Sequence, residues 1–448
     1  MARNKRSCFK ASSYEIHIPK RISSLFPEFQ GELFPILEQT TQSTLTKSKR
    51  IAVCFSGGPA PGGHDVVCAI ASMCHPSHEL WGVKGGLGGL LKGDLSPLNK
   101  DECYNFLHKG GFDLLRTDRT KLKTKKQFNT VRKHIKQHKL DALIIIGGDD
   151  SHTNAMHLAH ACLDSNCSIV GVPKTIDGDL QYPPFLPISF GFHSACDLYA
   201  NLVQNLIRDT LSTHKYWHFV KLMGRHASHT TLEVASQTQP DMYIIGEQLL
   251  KDKITLVQLI ERIASFILNA ASTGKDYGVI VIPEGILEWV YDVRNLLHYL
   301  NHSKSKQIPP PLQDAWHLFP KDIQIQLRNQ RDPHGNISLS QINTEHLIID
   351  LVTSFIAKHN PAYTLHSIPH FFGYEGRCCA PNTFDQNLCY HLGRCAFLLA
   401  VSGHTGYMAA CNASEPNPTY YGIPILELMT IENRNGENVP VVKKTVVQ

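Results

Sequence analysis

From residue 50 onward, short runs of mostly apolar residues alternate with stretches of helical periodicity. Each run is four to seven residues long and ends in a turn rich in glycine or charge, and the runs cover residues 51–55, 142–146, 169–172, 216–222 and 279–282. Between them, apolar residues recur at helical spacing, as at Phe192, Ala195, Leu198, Leu202 and Leu206. This alternation predicts an α/β fold with one or two mainly parallel sheets. In such folds, ligands bind beyond the carboxyl ends of the strands.

Two parts of the chain depart from this pattern. Residues 1–48 mix short polar and apolar pieces and are interpreted as an N-terminal extension. Residues 286–360 are rich in leucine and carry polar interruptions at 302–306 and 331–336, which predicts a largely helical insertion.

Composition narrows the class of protein. The 448 residues include 44 Lys and Arg against 39 Asp and Glu, so the net charge of +5 does not favour a nucleic-acid binder. No apolar run approaches the roughly 20 residues of a membrane span. The 13 cysteines include no CxxC spacing, which favours free thiols in a reducing cytosol. We therefore expect a cytoplasmic protein that binds neither nucleic acid nor membrane.

A glycine-rich loop follows the first apolar run, at residues 56–63. Small residues between a strand and a helix let backbone N–H groups approach an anion, so the loop is a candidate phosphate or pyrophosphate site. A tight turn without ligand is the alternative. The sequence has no GxxxxGK[ST] motif, and the spacing departs from GxGxxG, which disfavours a P-loop protein and a dinucleotide-binding protein.

The next two loops carry charge at strand ends. Asp149 and Asp150 directly follow the second run, where a divalent cation bridging phosphate oxygens would offset two adjacent carboxylates; helix capping is the alternative. Lys174, Asp177 and Asp179 follow the third run. A lysine neutralises a phosphoryl oxygen, and an aspartate accepts a proton from a hydroxyl, whereas a surface turn would need neither.

Further charged side chains follow later strands or lie near the first loops. They are Arg225, Glu284, Arg377, Arg119 and Lys121. Taken together, the arginines suit phosphate and the carboxylates suit hydroxyls and metal, which indicates a site for a phosphorylated polyol.

The combination of motifs resembles the phosphofructokinase family, and within it the long-type pyrophosphate-dependent group. The resemblance runs from about Arg50 to Lys444 and rests on residues 56–63, 147–151, 173–179, 221–237, 283–285, 331–336 and 371–377. It implies two similar Rossmann-like domains at 49–212 and 213–400, the second containing the helical insertion, and a C-terminal segment at 401–448 that is shorter than usual. The implied reaction is the reversible, glycolytic transfer of a phosphoryl group from pyrophosphate to the 1-hydroxyl of fructose 6-phosphate. The implied cofactor is Mg²⁺, and the implied assembly is a homodimer.

The resemblance also implies roles for single residues. Asp177 matches the proton acceptor, Arg225 a residue that stabilises the transferring charge, and Asp149 the Mg²⁺ aspartate. The residues implied to bind pyrophosphate are Gly58, Arg119 and Lys121. The residues implied to bind the sugar phosphate are Thr175, Ile176, Asp177, Lys215, Tyr216, Met223, Gly224, Arg225, Glu284, Tyr374, Glu375, Gly376 and Arg377. Among them, Lys215 and Tyr216 match residues that contact the substrate from a neighbouring subunit.

Two positions bear on the choice of donor. Relatives that use ATP have glycine at the position of Asp150 and a small residue at the position of Lys174. A carboxylate at 150 fills the space of a nucleotide's α-phosphate and repels it, and a lysine at 174 adds charge beside the terminal phosphate of pyrophosphate. Both positions predict pyrophosphate as the donor.

Three residues depart from the family pattern, namely Asp65, Asp118 and His193. Each alters charge near the expected phosphate channel. They leave two alternatives to a pyrophosphate-dependent enzyme: a catalytically weak regulatory subunit and an ATP-dependent phosphofructokinase.

Overall fold

The structure is a computed structural model. It describes residues 10–11, 14, 16–29, 35–37, 47–303, 307–331, 337, 342–415, 418–434 and 437–447. The polar interruption at 302–306 lies partly outside the described residues, as does most of the motif at 331–336.

The strands are short and lie in three sheets. They are β1 (Lys10–Ala11), β2 (Pro35–Leu37), β3 (Arg50–Phe55), β4 (Glu79–Val83), β5 (Leu95–Leu98), β6 (Ala142–Gly147), β7 (Ser168–Pro173), β8 (Trp217–Leu222), β9 (Met242–Tyr243), β10 (Gly278–Pro283), β11 (Ser367–Phe372), β12 (Tyr407–Cys411), β13 (Tyr420–Pro424), β14 (Met429–Arg434) and β15 (Glu437–Val442). The five strands predicted from the apolar runs are confirmed as β3, β6, β7, β8 and β10.

The helices connect these strands. They are α1 (Lys20–Ser23), α2 (Gly63–Cys74), α3 (Gly86–Lys92), α4 (Lys100–Tyr104), α5 (Lys125–Gln137), α6 (Asp149–Ala161), α7 (Phe192–Thr213), α8 (His229–Thr238), α9 (Gly246–Lys251), α10 (Leu256–Ser272), α11 (Ile286–Trp289), α12 (Tyr291–His302), α13 (Pro310–Leu318), α14 (Lys321–Asn329), α15 (Thr344–His359), α16 (Tyr374–Arg377) and α17 (Thr383–Val401). The region predicted to be a helical insertion contains α11 to α15.

The chain divides into two compact units. The first comprises Met1–Ala195 and Glu375–Thr445, and its main sheet has the strand order β1-β2-β13-β12-β7-β6-β3-β4-β5. The strands from β12 to β4 run parallel, whereas β5 and β13 pair antiparallel at either side. Strands β3, β6 and β7 lie at its centre, and β6 and β7 are buried along their whole length, which explains their continuous apolar sequence.

The second unit comprises Cys196–Tyr374 and Val446–Gln448, and its sheet has the order β11-β8-β10-β9 with all pairs parallel. Its core joins Trp217 and Phe219 of β8 to Ile280 and Ile282 of β10 and to apolar faces of the surrounding helices. A capping box at Thr255 starts α10, because its hydroxyl accepts the Gln258 N–H while the Gln258 side chain binds back to the Thr255 backbone.

The boundaries of these units differ from the predicted domains. The first unit contains the chain up to Ala195 and again from Glu375 to Thr445, and this second stretch includes part of the predicted second domain. The reason is packing: α17 lies against α2, and β12 pairs with β7 in the centre of the first sheet. A helix that is both long and apolar enough to cross a bilayer does not occur among the residues described.

Candidate active site

Three predicted loops lie at one edge of the first sheet. Because β7, β6 and β3 are parallel neighbours, their carboxyl ends meet at the same edge. The loops that follow them carry Gly58, Asp149 with Asp150, and the stretch from Lys174 to Asp179. The first unit therefore brings the predicted donor and proton-acceptor residues into one region.

The loop after β3 is held from both sides. The Ser56 N–H donates to the Ile146 carbonyl at 2.9 Å, and the Ser151 hydroxyl donates to the Ser56 hydroxyl at 2.8 Å. A Cβ added at Gly58 would lie 2.7 Å from Nη2 of Arg377, so the guanidinium packs directly on this glycine. An arginine predicted to serve the sugar phosphate is thus in contact with the predicted pyrophosphate loop.

The two aspartates at the start of α6 face different cations. Oδ2 of Asp150 lies 2.5 Å from Nζ of Lys121, and Oδ2 of Asp149 lies 3.5 Å from Nζ of Lys444. Burial raises the pKa of the Asp149 carboxyl, with Asp150 and other carboxylates adding to the shift and Lys444 opposing it. A partly buried carboxylate of this kind gains from a cation.

The loop after β7 is ordered by its own side chains. The Lys174 N–H donates to the Gly147 carbonyl at 3.0 Å, the Thr175 hydroxyl donates to Oδ1 of Asp179 at 2.9 Å, and the Asp177 N–H donates to the Thr175 hydroxyl at 3.0 Å. Asp177 is half-buried, whereas Ile176 is buried. These bonds fix the backbone on which the predicted proton acceptor stands.

Lys174 is buried among charged groups. Burial lowers the pKa of its ammonium to about 8, against the fields of Asp177, Asp149 and Asp179, and Arg377 lowers it further. The carboxylates that act on it belong to the loops after β6 and β7, and Arg377 belongs to α16, so Lys174 lies among charged groups from several parts of the first unit. Arg119, by contrast, is exposed and follows Asp118, whose carbonyl accepts the Gly57 N–H at 2.9 Å.

Lys444 is a residue that the sequence analysis did not assign to the site. Its Nζ also lies 3.6 Å from Oδ2 of Asp179. Burial by itself lowers the pKa of Lys444, but the fields of Asp149, Asp179 and the neighbouring carboxylates outweigh it and leave the pKa raised. The only signal in the sequence was that the family resemblance extends to this position, since no motif surrounds the Lys443–Lys444 pair.

The loops of the second unit meet in the same way at the carboxyl ends of β11, β8 and β10. The Met223 N–H donates to the Phe372 carbonyl at 3.0 Å, and the Gly224 N–H donates to Oε2 of Glu284 at 3.3 Å. A Cβ at Gly285 would lie 1.9 Å from the Arg225 carbonyl oxygen, so only glycine allows this approach. Predicted sugar-binding residues of β8 and β10 are therefore in contact.

Lys215 and Tyr216 lie elsewhere in the second unit. They precede β8 and so stand at its amino end, about 20 Å of strand away from the Met223 loop. Tyr216 is 42% exposed, and Tyr374 is 66% exposed. The boundary between the units falls within α16, which leaves Tyr374 in the second unit and Glu375, Gly376 and Arg377 in the first.

The departures from the family pattern have local partners. Oδ1 of Asp65 accepts the His108 N–H at 2.8 Å, and the Asp118 carboxylate accepts the Gly88 N–H at 3.0 Å. The ring of His193 lies 4.3 Å from that of Phe384. The two carboxylates thus support neighbouring backbone within the first unit.

The residues present fit a Mg²⁺ ion only if the substrate supplies further ligands. Across the described ranges, no three His, Cys, Asp or Glu side chains are grouped as a metal site. Mg²⁺ in phosphoryl-transfer sites is commonly bound through one or two carboxylates, with water and substrate phosphates completing its shell. The partly buried Asp149 carboxylate, which already faces a cation, is suited to this mode.

Comparison with known proteins agrees with the fold and the motifs. The profile of the phosphofructokinase family matches residues 50–400. The chain is 38% identical to the Arabidopsis thaliana pyrophosphate–fructose 6-phosphate 1-phosphotransferase subunit beta 2, over 96% of this chain and 80% of that protein. It is 39% identical to the Treponema pallidum pyrophosphate–fructose 6-phosphate 1-phosphotransferase, over 89% of this chain and 75% of that protein.

Among solved structures, the fold is similar to that of Pichia pastoris phosphofructokinase, with a TM-score of 0.58 and 17% identity. That match covers 90% of this chain and 38% of the yeast chain. The parallel sheets with charged loops at their carboxyl ends define an α/β protein suited to phosphate chemistry. The chain belongs to the phosphofructokinase family.

Proposed function

We propose that this protein transfers the terminal phosphoryl group of pyrophosphate to the 1-hydroxyl of fructose 6-phosphate. The products are fructose 1,6-bisphosphate and phosphate, and the reaction is proposed to be reversible, with phosphate accepting the phosphoryl group from C1 of the bisphosphate to re-form pyrophosphate. The two relatives described above carry this activity in their names. The observation that carries the proposal in the structure is the group of Lys174, Asp149 and Asp177 at one sheet edge.

Asp177 is proposed to accept the proton of the 1-hydroxyl. Hydrogen bonds through Thr175 and Asp179 fix its backbone, so the position from which the Asp177 side chain starts is defined. A positioned base of this kind contributes about 10²–10⁴-fold to the rate.

Cations from each of the two units are proposed to stabilise the phosphoryl group in transit. Lys174 stands in the first unit beside the carboxylates, with Arg377 packed on Gly58. Arg225 of the second unit follows β8, where its carbonyl fits against Gly285. Mg²⁺ bound at Asp149 would neutralise charge on the pyrophosphate oxygens. Fixed positive groups need no reorganisation as charge moves, which is why they lower the barrier.

The donor is proposed to be pyrophosphate because of Asp150 and Lys174. Asp150 projects from the first turn of α6, and Lys121 holds its carboxylate at 2.5 Å. The α-phosphate of a nucleotide next to this carboxylate would meet a like charge at short range, of which Lys121 offsets a part, and this disfavours a nucleotide donor. Lys174 adds positive charge in the buried part of the site, where pyrophosphate presents its terminal phosphate.

We further propose that the protein acts in the cytoplasm as a homodimer. The twelve cysteines within the described residues are free thiols, in keeping with a reducing compartment. Lys215 and the exposed Tyr216 stand apart from the other sugar-binding residues of their unit, as a contact offered to a second copy would.

The test is product formation by the purified chain alone. With pyrophosphate, Mg²⁺ and fructose 6-phosphate, an aldolase-coupled assay is expected to show fructose 1,6-bisphosphate. Asp177→Ala should lower turnover by about 10²–10⁴-fold. Asp164→Ala removes an exposed carboxylate that pairs with Arg132 and serves as the matched control with unchanged turnover.

A second candidate function is that of a catalytically weak subunit. The Arabidopsis relative is named as a subunit, which favours testing it. Activity that appears only after a second, different chain is added would support this candidate and contradict autonomous catalysis. Turnover with ATP in place of pyrophosphate would contradict the donor assignment.

A further inference from the structure

We propose that Lys444 is a positioning residue for the proton acceptor, acting through Asp179. This proposal rests on the proposed function and adds to it a residue from the C-terminal segment 442–445. Lys444 lies beside the catalytic loop in space although residues 196–374 of the second unit lie between the two in sequence.

The C-terminal segment reaches this loop along a defined path. The Val442 N–H donates to the Thr153 hydroxyl at 3.0 Å, and the Lys443 N–H donates to the Leu428 carbonyl at 2.8 Å. The Thr445 N–H then donates to the Asp179 carbonyl at 2.8 Å. Backbone hydrogen bonds on both sides of residue 444 therefore fix the position of its Cα, and this places the Lys444 side chain beside the loop.

The ammonium of Lys444 lies between two carboxylates. Its Nζ is 3.5 Å from Oδ2 of Asp149 and 3.6 Å from Oδ2 of Asp179, and 28% of its side chain is exposed. Asp179 is 5% exposed. Two carboxylates in one partly buried region repel each other, and a cation between them removes that repulsion. Lys444 thus favours the arrangement in which both carboxylates point towards it.

The effect on Asp177 follows from the other oxygen of Asp179. While Oδ2 faces Lys444, Oδ1 accepts the Thr175 hydroxyl at 2.9 Å, and that hydroxyl accepts the Asp177 N–H at 3.0 Å. The Asp179 carboxylate is therefore held on both of its oxygens. Without Lys444 one side is released, and the loop that carries Asp177 loses part of its constraint. A misplacement of about 1 Å in a reacting group costs on the order of 10²-fold in rate.

The kinetic test compares two adjacent lysines. Lys444→Met should lower kcat by about 10–100-fold, with KM for both substrates changed by less than about threefold, because the base is misplaced while binding groups remain. Lys443 is exposed, so Lys443→Met is the matched control and should keep wild-type kcat. Lys444→Arg retains the cation and should recover most of kcat.

The route through Asp179 is tested by a double variant. If Lys444 acts through this carboxylate, Lys444→Met should lower kcat much less in an Asp179→Asn background than in the wild type. Equal losses in both backgrounds would overturn the proposal. A rise in KM for pyrophosphate at unchanged kcat would also overturn it, because it would make Lys444 a donor-binding group.

A readout that needs no turnover separates this proposal from the proposed function. Hydrogen–deuterium exchange at the Asp177 amide should be at least about tenfold faster in Lys444→Met than in Lys443→Met, at equal melting temperature. Unchanged exchange would overturn the proposal even in an active enzyme, whereas faster exchange in a protein inactive towards pyrophosphate would contradict only the proposed function. Should Lys444→Met fail to fold, Lys444→Gln, which removes the charge and keeps a polar end, takes its place.

Discussion

Replacing Gly58 with alanine tests whether the loop at residues 56–63, proposed to bind the donor, also positions Arg377, the arginine predicted to bind the sugar phosphate. The new methyl carbon would lie 2.7 Å from Nη2 of Arg377, where an ordinary contact begins at 3.4 Å. The guanidinium must therefore withdraw by about 0.7 Å. Gly58 does not have a left-handed backbone, so alanine fits the local conformation and the strain falls on Arg377.

The expected cost follows from the strength of the displaced contact. A hydrogen bond to a charged group contributes about 1.5–3 kcal/mol, and a shift of this size removes about half of it. The resulting loss of about 0.8–1.5 kcal/mol corresponds to a fall in kcat/KM for fructose 6-phosphate of about 4–12-fold. The melting temperature should change by less than about 2 °C, because the end of a flexible side chain gives way.

The assay varies fructose 6-phosphate at saturating pyrophosphate, with melting followed by differential scanning fluorimetry. Arg377→Ala and the double variant complete a thermodynamic cycle. In the Arg377→Ala background, Gly58→Ala should have almost no further effect on kcat/KM for the sugar. The reasoning is refuted if the sugar parameters of Gly58→Ala stay at wild-type values, or if the same loss persists without Arg377.

Three further predictions concern buried charge and close backbone contacts. The ammonium of Lys174 carries its proton below its pKa of about 8 and loses it above, so kcat/KM for pyrophosphate should fall as pH rises through about 8. Lys174→Arg should not show this fall, because arginine keeps its charge. A fall that persists in Lys174→Arg would contradict the assignment of this titration to Lys174. Gly285→Ala would place a methyl carbon 1.9 Å from the Arg225 carbonyl oxygen, so the free energy of unfolding measured in urea should fall by about 1–3 kcal/mol. Wild-type stability would show that the backbone can shift here without cost. Lys221 and Glu345 form an ion pair of 2.6 Å, and both side chains are less than a tenth exposed. Lys221→Met should therefore lower the free energy of unfolding by about 3–5 kcal/mol, and adding Glu345→Leu should restore most of it. An equal loss in the double variant would show that the uncompensated charge of Glu345 is not the cause.

The parts of the fold that were predictable depend on local sequence. The run at 142–146 is apolar because β6 is buried on both faces, and the charges at Asp149 and Asp150 stand where the strand gives way to a helix. Such patterns repeat every few residues and need no knowledge of distant contacts. The strands β3, β6, β7, β8 and β10 and the loops after them could therefore be identified from sequence.

The remaining features depend on contacts between distant parts of the chain. Nothing near Gly58 indicates that Arg377 packs on it, and nothing near Lys444 indicates that it faces Asp179. The return of residues 375–445 to the first unit likewise follows from the pairing of β12 with β7, which no local pattern encodes. These contacts are set by the folded topology, where residues remote in sequence become neighbours.

The most direct test of the account is a comparison of donors at saturating fructose 6-phosphate. The account predicts that wild-type kcat/KM for pyrophosphate exceeds that for MgATP by at least about tenfold, because Asp150 places a like charge beside the nucleotide's α-phosphate and Lys121 offsets only part of it. Combining Asp150→Gly with Lys174→Gly should raise kcat/KM for MgATP and lower that for pyrophosphate. A wild-type protein that uses MgATP as well as pyrophosphate, or a double variant that gains nothing with MgATP, would contradict the claim that these two side chains select the donor.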